Sequence, residues 1–232
     1  MNRKYIFNEI EKYINKEFHG FVSSVRHDTL ILTKHEKEYK YEIHLRCQNF
    51  GEIYILNPVG NIFQNILLES TFKKLVLVEL LTYYNKETTI LISSKNLGIS
   101  DEMIDYKLKS YLELNQYFIY LKNYFNQLEI IFFQSMKDPI EISNYIAQFA
   151  YVDNLKSNVG SKFPVENFKK IFLLFIGGQM ERYKEYKEGL ESQIKSLPER
   201  KPEKKEEAKI YLENYYFLIQ ELESGKYNST IV

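Results

Sequence analysis

The sequence predicts an α+β protein: a small antiparallel β-meander with a packed N-terminal helix, followed by a mainly α-helical region that ends in an antiparallel helical hairpin. Three observations predict it. Residues 39–46, "YKYEIHLR", alternate strictly, with Tyr39, Tyr41, Ile43 and Leu45 on one face and Lys40, Glu42, His44 and Arg46 on the other. That is the pattern of an antiparallel strand with one solvated face. Much of the later chain carries apolar residues at three–four spacing, which is helical. The final stretch shows that spacing twice, on either side of the proline-flanked "PERKP".

In chain order, residues 3–17 set Tyr5, Ile6, Ile10, Tyr13 and Ile14 at helical spacing with charges between them, predicting an amphipathic helix. "TLILT" at 29–33 and "EIYIL" at 52–56 are β-rich runs, set off by the polar turns "RHD", "KHEKE" and "CQNFG". Three or four strands are expected, with the first helix on their apolar face. From Asn61, "NIFQNILLESTFKKLVLVELLTYY" is apolar on most sides, so a helix buried between layers is expected. "TTILISS" at 88–94 suits one further short strand, but its length does not decide the matter.

Ser100 followed by Asp101 and Glu102 reads as a helix start, because serine caps free N–H groups and acids suit the positive end. That helix is expected to run to about Phe133, without Gly or Pro. Asp138-Pro139-Ile140-Glu141 reads as a second start, with Pro in the first turn and Glu141 placed for a capping box. Pro164 opens a third. Tyr183, Tyr186, Leu190, Ile194 and Leu197, then Ala208, Tyr211, Tyr215, Leu218 and Leu222, give the two arms of the hairpin. The organisation expected is an α/β region over 1–95 and a helical region over 96–232, with the hairpin at 180–224. The tail after Gly225 is expected to fray.

Charge excludes several classes of function. Lys plus Arg and Asp plus Glu number 31 each, and no long segment is basic. A nucleic-acid partner is therefore not expected, since phosphate neutralisation dominates such binding. A membrane partner is not expected either. The N-terminus carries Glu9 and Glu11 and is not a signal peptide, and "IFLLFI" at 171–176 falls far short of the roughly 20 apolar residues that cross a bilayer. Cys47 is the single cysteine, so no intrachain disulfide can form and a reducing, cytoplasmic setting with a soluble chain is expected. The 20 Tyr and 16 Phe stand without a Trp. Tyrosine, apolar in body and polar at its tip, suits half-buried surfaces.

His19, His27, His35 and His44 fall close together in sequence. With His27 at a hairpin turn, a rise of about 3.3 Å per residue sets His35 roughly 25 Å away. His19 and His35, equidistant from that turn, would face each other near Glu17 and Glu36. Two histidines and a carboxylate, His19, His35 and Glu36, could hold a transition metal with an open position. Exposed turn residues, or one imidazole working as an acid–base group, are the other readings. Ser23-Ser24 and Ser93-Ser94 have no partner base in view. Cys47 is expected to open a turn, on the opposite strand face from His44. Gly51, Gly60 and Gly98 are isolated and form no phosphate-cradling loop.

Gly177-Gly178-Gln179 resembles the catalytic tripeptide of peptide release factors. There it lies on an exposed polar loop amid basic residues. Here "FLLFI" precedes it and "MERYKEY" follows at continuing helical period, so Gly177 and Gly178 read as structural, at a kink, a close helix crossing or a break.

The function expected is that of a non-enzymatic protein-interaction protein, binding or immunity-like. It would use the Tyr-rich helical surfaces of Tyr183, Tyr186, Tyr211, Tyr215 and Tyr216, with self-association as one form and no cofactor. The layout is similar in general style to small bacterial interaction proteins, immunity proteins among them, and no family is assigned. The alternative is a metal-dependent enzyme with its site at the His19/His35 end of the sheet.

Overall fold

The computed structural model describes residues 1–84, 87–98, 101–156 and 158–227. The fold is α+β, with a six-stranded antiparallel sheet, an N-terminal helix and a C-terminal helix pair. Its residues group into two compact units that interleave along the chain. Met1–Gln64 and Leu91–Ser135 form the first unit; Asn65–Ile90 and Met136–Val232 form the second. The expected regions followed chain order, with one boundary after residue 95.

In the first unit, helix α1 (Arg3–Glu17) starts where the Asn2 side chain accepts from the Tyr5 N–H, and it buries Ile6, Phe7, Ile10 and Ile14. Strands β1 (Phe21–Arg26), β2 (Thr29–His35), β3 (Tyr39–Phe50) and β4 (Ile53–Asn65) follow as a meander. Strand β5 (Ile90–Ile92) lies beyond β4, and β6 (Tyr106–Leu108) pairs antiparallel with Tyr54–Leu56 of β4. Tyr41, Ile43, Leu45 and Cys47 all point inward from β3. Cys47 therefore sits inside the strand rather than opening a turn. The alternation that began at Tyr39 continues through the polar letters that signalled a stop.

Two further expectations change here. Asn61–Asn65 belongs to β4, and the helix α2 (Ile66–Lys74) begins only after it, followed by the short α3 (Val78–Leu81). Residues 60 to 65 of β4 are buried at nearly every position, so the period of two that marks a half-solvated strand is missing. The helix start expected at Ser100 lies outside the described residues. A 3₁₀ turn at Asp101–Met103 and the strand β6 occupy the next stretch, and helix α4 (Tyr111–Gln127) starts instead at Ser110. Ser110 and Glu113 form a capping box there, satisfying two N–H groups that would otherwise be free. The helix then widens into a π turn over Leu128–Gln134. Helices α1 and α4 are joined by the stacked rings of Tyr13 and Phe118 at 4.4 Å, and Phe133 packs on Tyr41 of the sheet at 4.5 Å.

The second unit is built around helix α6 (Val165–Ile176), where every residue from Asn167 to Leu174 is buried. Helix α5 (Pro139–Ala147), capped by Asp138 with its carboxylate 2.8 Å from the Ile140 N–H, packs against it. So do α7 (Met180–Lys195) and α9 (Lys205–Glu223), the two arms of the hairpin, which are joined through α8 (Leu197–Arg200). The apolar positions read from the two arms are all buried. The frayed tail expected after Gly225 falls mainly on residues 228–232, outside the described residues. No helix among the described residues is long and apolar enough to cross a membrane.

Candidate functional site

The histidine end of the sheet is set by the β1–β2 hairpin. Arg26 pairs with Thr29 and Phe21 with Lys34, so the hairpin turns on two residues, His27 and Asp28, with His27 at φ 58°. The β1–β2 ladder ends at Phe21, and Gly20, at φ 87°, takes the chain out of the strand before His19. Glu36 is engaged elsewhere, with one oxygen 3.1 Å from Lys34 Nζ and the other accepting from the Tyr41 hydroxyl at 3.0 Å. Among the described residues, no three His, Cys, Asp or Glu side chains gather as a metal-holding group. His44 lies instead on the outer face of β3, 3.1 Å from Glu42, whose other oxygen is 2.6 Å from Lys40.

Burial pushes the Cys47 thiol up to about 11, against the opposing pull of Arg3. A thiol that stays protonated inside a strand is a packing group, not a nucleophile.

The tyrosines of the hairpin turn inward. Tyr183, Tyr186, Tyr211 and Tyr215 are buried, and each hydroxyl donates to a fixed acceptor: Glu223, the Phe149 carbonyl, Glu207 and the Lys187 carbonyl, at 2.9–3.2 Å. Tyr216 alone of the five reaches solvent, bonded to Glu191 at 2.8 Å. Tyrosines at core positions need no surface role to explain them, because the hydroxyl finds its partner on the neighbouring helix or loop.

The Gly177-Gly178-Gln179 tripeptide is a helix terminus. The Gly178 N–H reaches the Phe175 carbonyl at 3.1 Å and the Gln179 N–H reaches the Leu174 carbonyl at 2.9 Å, with Gly178 at φ 75°. This pair of bonds is the Schellman ending, which needs a left-handed residue at Gly178's place. A Cβ on Gly177 would stand 2.1 Å from Ser143 Cβ, so the bare glycine lets α5 and α6 meet. Gln179 donates to Asn144 at 2.6 Å.

The sequence reading missed two buried lysines on α6. Lys169 Nζ lies 2.6 Å from Glu69 and 3.0 Å from the Thr88 carbonyl, with the Tyr84 ring 4.5 Å away. Thr89 donates to the other Glu69 oxygen at 2.9 Å, and the Tyr84 hydroxyl also donates to Glu69. Burial lowers the pKa of Lys169, while Glu69 acts against that; burial and Glu69 together push the Tyr84 phenol far above its ordinary range. The cluster is saturated and enclosed, so it holds charge without offering it to a substrate. The signal was present in "FKKIFLLF", where two lysines stand inside an otherwise apolar helix stretch.

Lys170, on the same helix, has a different task. Its ammonium bonds Glu166 at 2.6 Å and the carbonyl of Asn154. Asn154 belongs to a 3₁₀ turn, Tyr151–Lys156. The Tyr151 N–H donates to Glu185 at 2.7 Å, its hydroxyl donates to Gln193, and its ring meets Tyr186 edge-on at 5.3 Å. The ring also lies over Gly189, where a Cβ would come within 2.3 Å. A turn fastened at both Tyr151 and Asn154 then projects Val152, 91% exposed, and Leu155, 83% exposed. These are the two most exposed large apolar side chains among the described residues. Residues three apart eclipse each other on a 3₁₀ turn, so the two stand side by side.

No family model matches the chain, and no curated protein or solved structure is detectably similar to it.

Proposed function

We propose that the chain is a non-enzymatic binding protein that docks on another protein through the Tyr151–Lys156 turn. The observation that carries this reading is the exposed pair Val152 and Leu155 on a turn fixed from beneath by Tyr151 and the buried Lys170. Adjacent exposed apolar side chains favour a partner surface. Their fixed backbone matters as much, because a segment already ordered in its bound shape loses less entropy on association. Three of the described groups with catalytic potential are otherwise engaged: Glu36 with Lys34 and Tyr41, Glu69 with Lys169, and Cys47 in the core. A cytoplasmic, reducing setting accompanies this reading, supported by one buried cysteine. The partner belongs to the class of proteins with a small apolar pocket, a second copy of this chain included.

The test places a photo-crosslinking amino acid at Lys156 in the producing cells, with a control at exposed Asn115. One adduct of defined mass at Lys156, lost in Val152→Asp/Leu155→Asp, supports the reading. Equal, diffuse adducts at both positions would overturn it. Circular dichroism checks that the double variant keeps its fold.

A further inference from the structure

A cleft of about 400 Å³ opens within the second unit, between the Thr82-Tyr83 and Lys162-Phe163 segments on one side and α8 and α9 on the other. This volume is in the range of small-molecule sites. Its lining combines aromatic rings with lysine side chains.

The deeper part is apolar and aromatic. Tyr211 and Leu197 are buried, and the rings of Tyr83 and Phe163 meet Tyr211 edge-on, at 5.5 and 5.8 Å. Tyr83 and Phe163 are themselves only half-buried, so aromatic surface stays open to whatever enters.

The mouth is cationic. Lys162, Lys201 and Lys204 line it against a single acid, Glu207. Glu207 is already satisfied, 3.0 Å from Lys204 Nζ and 2.9 Å from the Tyr211 hydroxyl. Neither Lys162 nor Lys201 has an ion pair among the described residues, and the chain as a whole is electrically neutral. Two uncompensated ammonium groups beside open ring surface define a ligand with a flat apolar part and an acidic group.

We infer that this cleft binds a small aromatic anion, its ring against Tyr83 and Phe163 and its phosphate or carboxylate between Lys162 and Lys201. Ring–ring contact supplies affinity in the manner of other aromatic pairs. The ammonium groups supply selection for charge, which salt weakens where the mouth meets solvent. The inference is independent of docking through Val152 and Leu155.

Titration calorimetry on the full chain, with 1-naphthyl phosphate as probe, tests it. Saturable one-to-one binding is expected, weakened about tenfold or more in Lys162→Ala/Lys201→Ala and by a smaller factor in Phe163→Leu. Inorganic phosphate and 1-naphthol, each carrying half of the chemistry, are expected to bind at least about tenfold more weakly than the probe. Both lysines are exposed or lie at the rim, so the double variant keeps its fold, which its thermal midpoint checks. Absence of saturable binding up to about 5 mM overturns the proposal. Unchanged affinity in the folded double variant overturns it too, as does inorganic phosphate binding as tightly as the naphthyl ester.

Discussion

Lys169 Nζ and the Glu69 carboxylate lie 2.6 Å apart, joined across 100 residues of sequence and almost wholly enclosed. Each side chain makes the other's burial tolerable. Replacing Glu69 by Leu strands an ammonium group, and a loss of about 3–5 kcal/mol in urea unfolding is expected. Replacing both, as Glu69→Leu/Lys169→Met, is expected to recover most of that, because an apolar pair leaves no uncompensated charge. A double variant no better than Glu69→Leu would show that the pair does more than neutralise itself.

Gly177→Ala drives a methyl group into Ser143. Overpacking of this kind is expected to cost about 1–3 kcal/mol. Gly178→Ala meets no neighbour but keeps φ at 75°, which is expected to cost about 1 kcal/mol through backbone strain alone. Ser143→Gly is expected to rescue the first variant and leave the second unchanged, a coupling that a double-mutant cycle in denaturant measures.

The Glu42 carboxyl is held down to about 2 by its hydrogen bonds from His44 and then Lys40, against the effect of burial. A carboxylate depressed in the folded state stabilises the fold above its ordinary value of 4.5, and that contribution is lost as pH falls toward 2. Screening at this partly exposed strand face limits the contribution to about 1 kcal/mol. Glu42→Gln is expected to flatten the stability profile between these pH values, followed by thermal unfolding in a pH series.

Cys47 is expected to resist a thiol-specific disulfide reagent at pH 8 in the native protein and to react fully in denaturant. Its burial and raised pKa both act against the thiolate. Rapid native labelling would contradict its place inside β3.

Much of the fold could be read from the sequence where one physical pattern dominated. Tyr39 to Arg46 alternated cleanly, and the two arms of the hairpin kept their helical spacing to Leu222. Legibility failed where burial erased the pattern. Asn61–Asn65 is a strand buried at almost every position and carries no period of two, so its apolar letters joined the helix that follows. The register of β1 on β2 was also beyond reach, since one residue more or less in the His27 turn decides whether His19 could meet His35. Of the proposed docking turn, "YVDNLK" gave only two apolar letters among polar ones. Their exposure depends on Lys170, which arrives from a different helix.

The interleaving of the two units has a consequence for how the polypeptide comes into being. Residues 65–90 leave the ribosome well before α6 exists, so Glu69 and the apolar face of α2 wait for Lys169 until most of the chain has been synthesised. No single cut releases either unit as one continuous fragment. A gene segment that carries the first unit whole, residues 1–135, must therefore also carry 65–90 of the second, and one that carries the second whole, 65–232, must also carry 91–135 of the first.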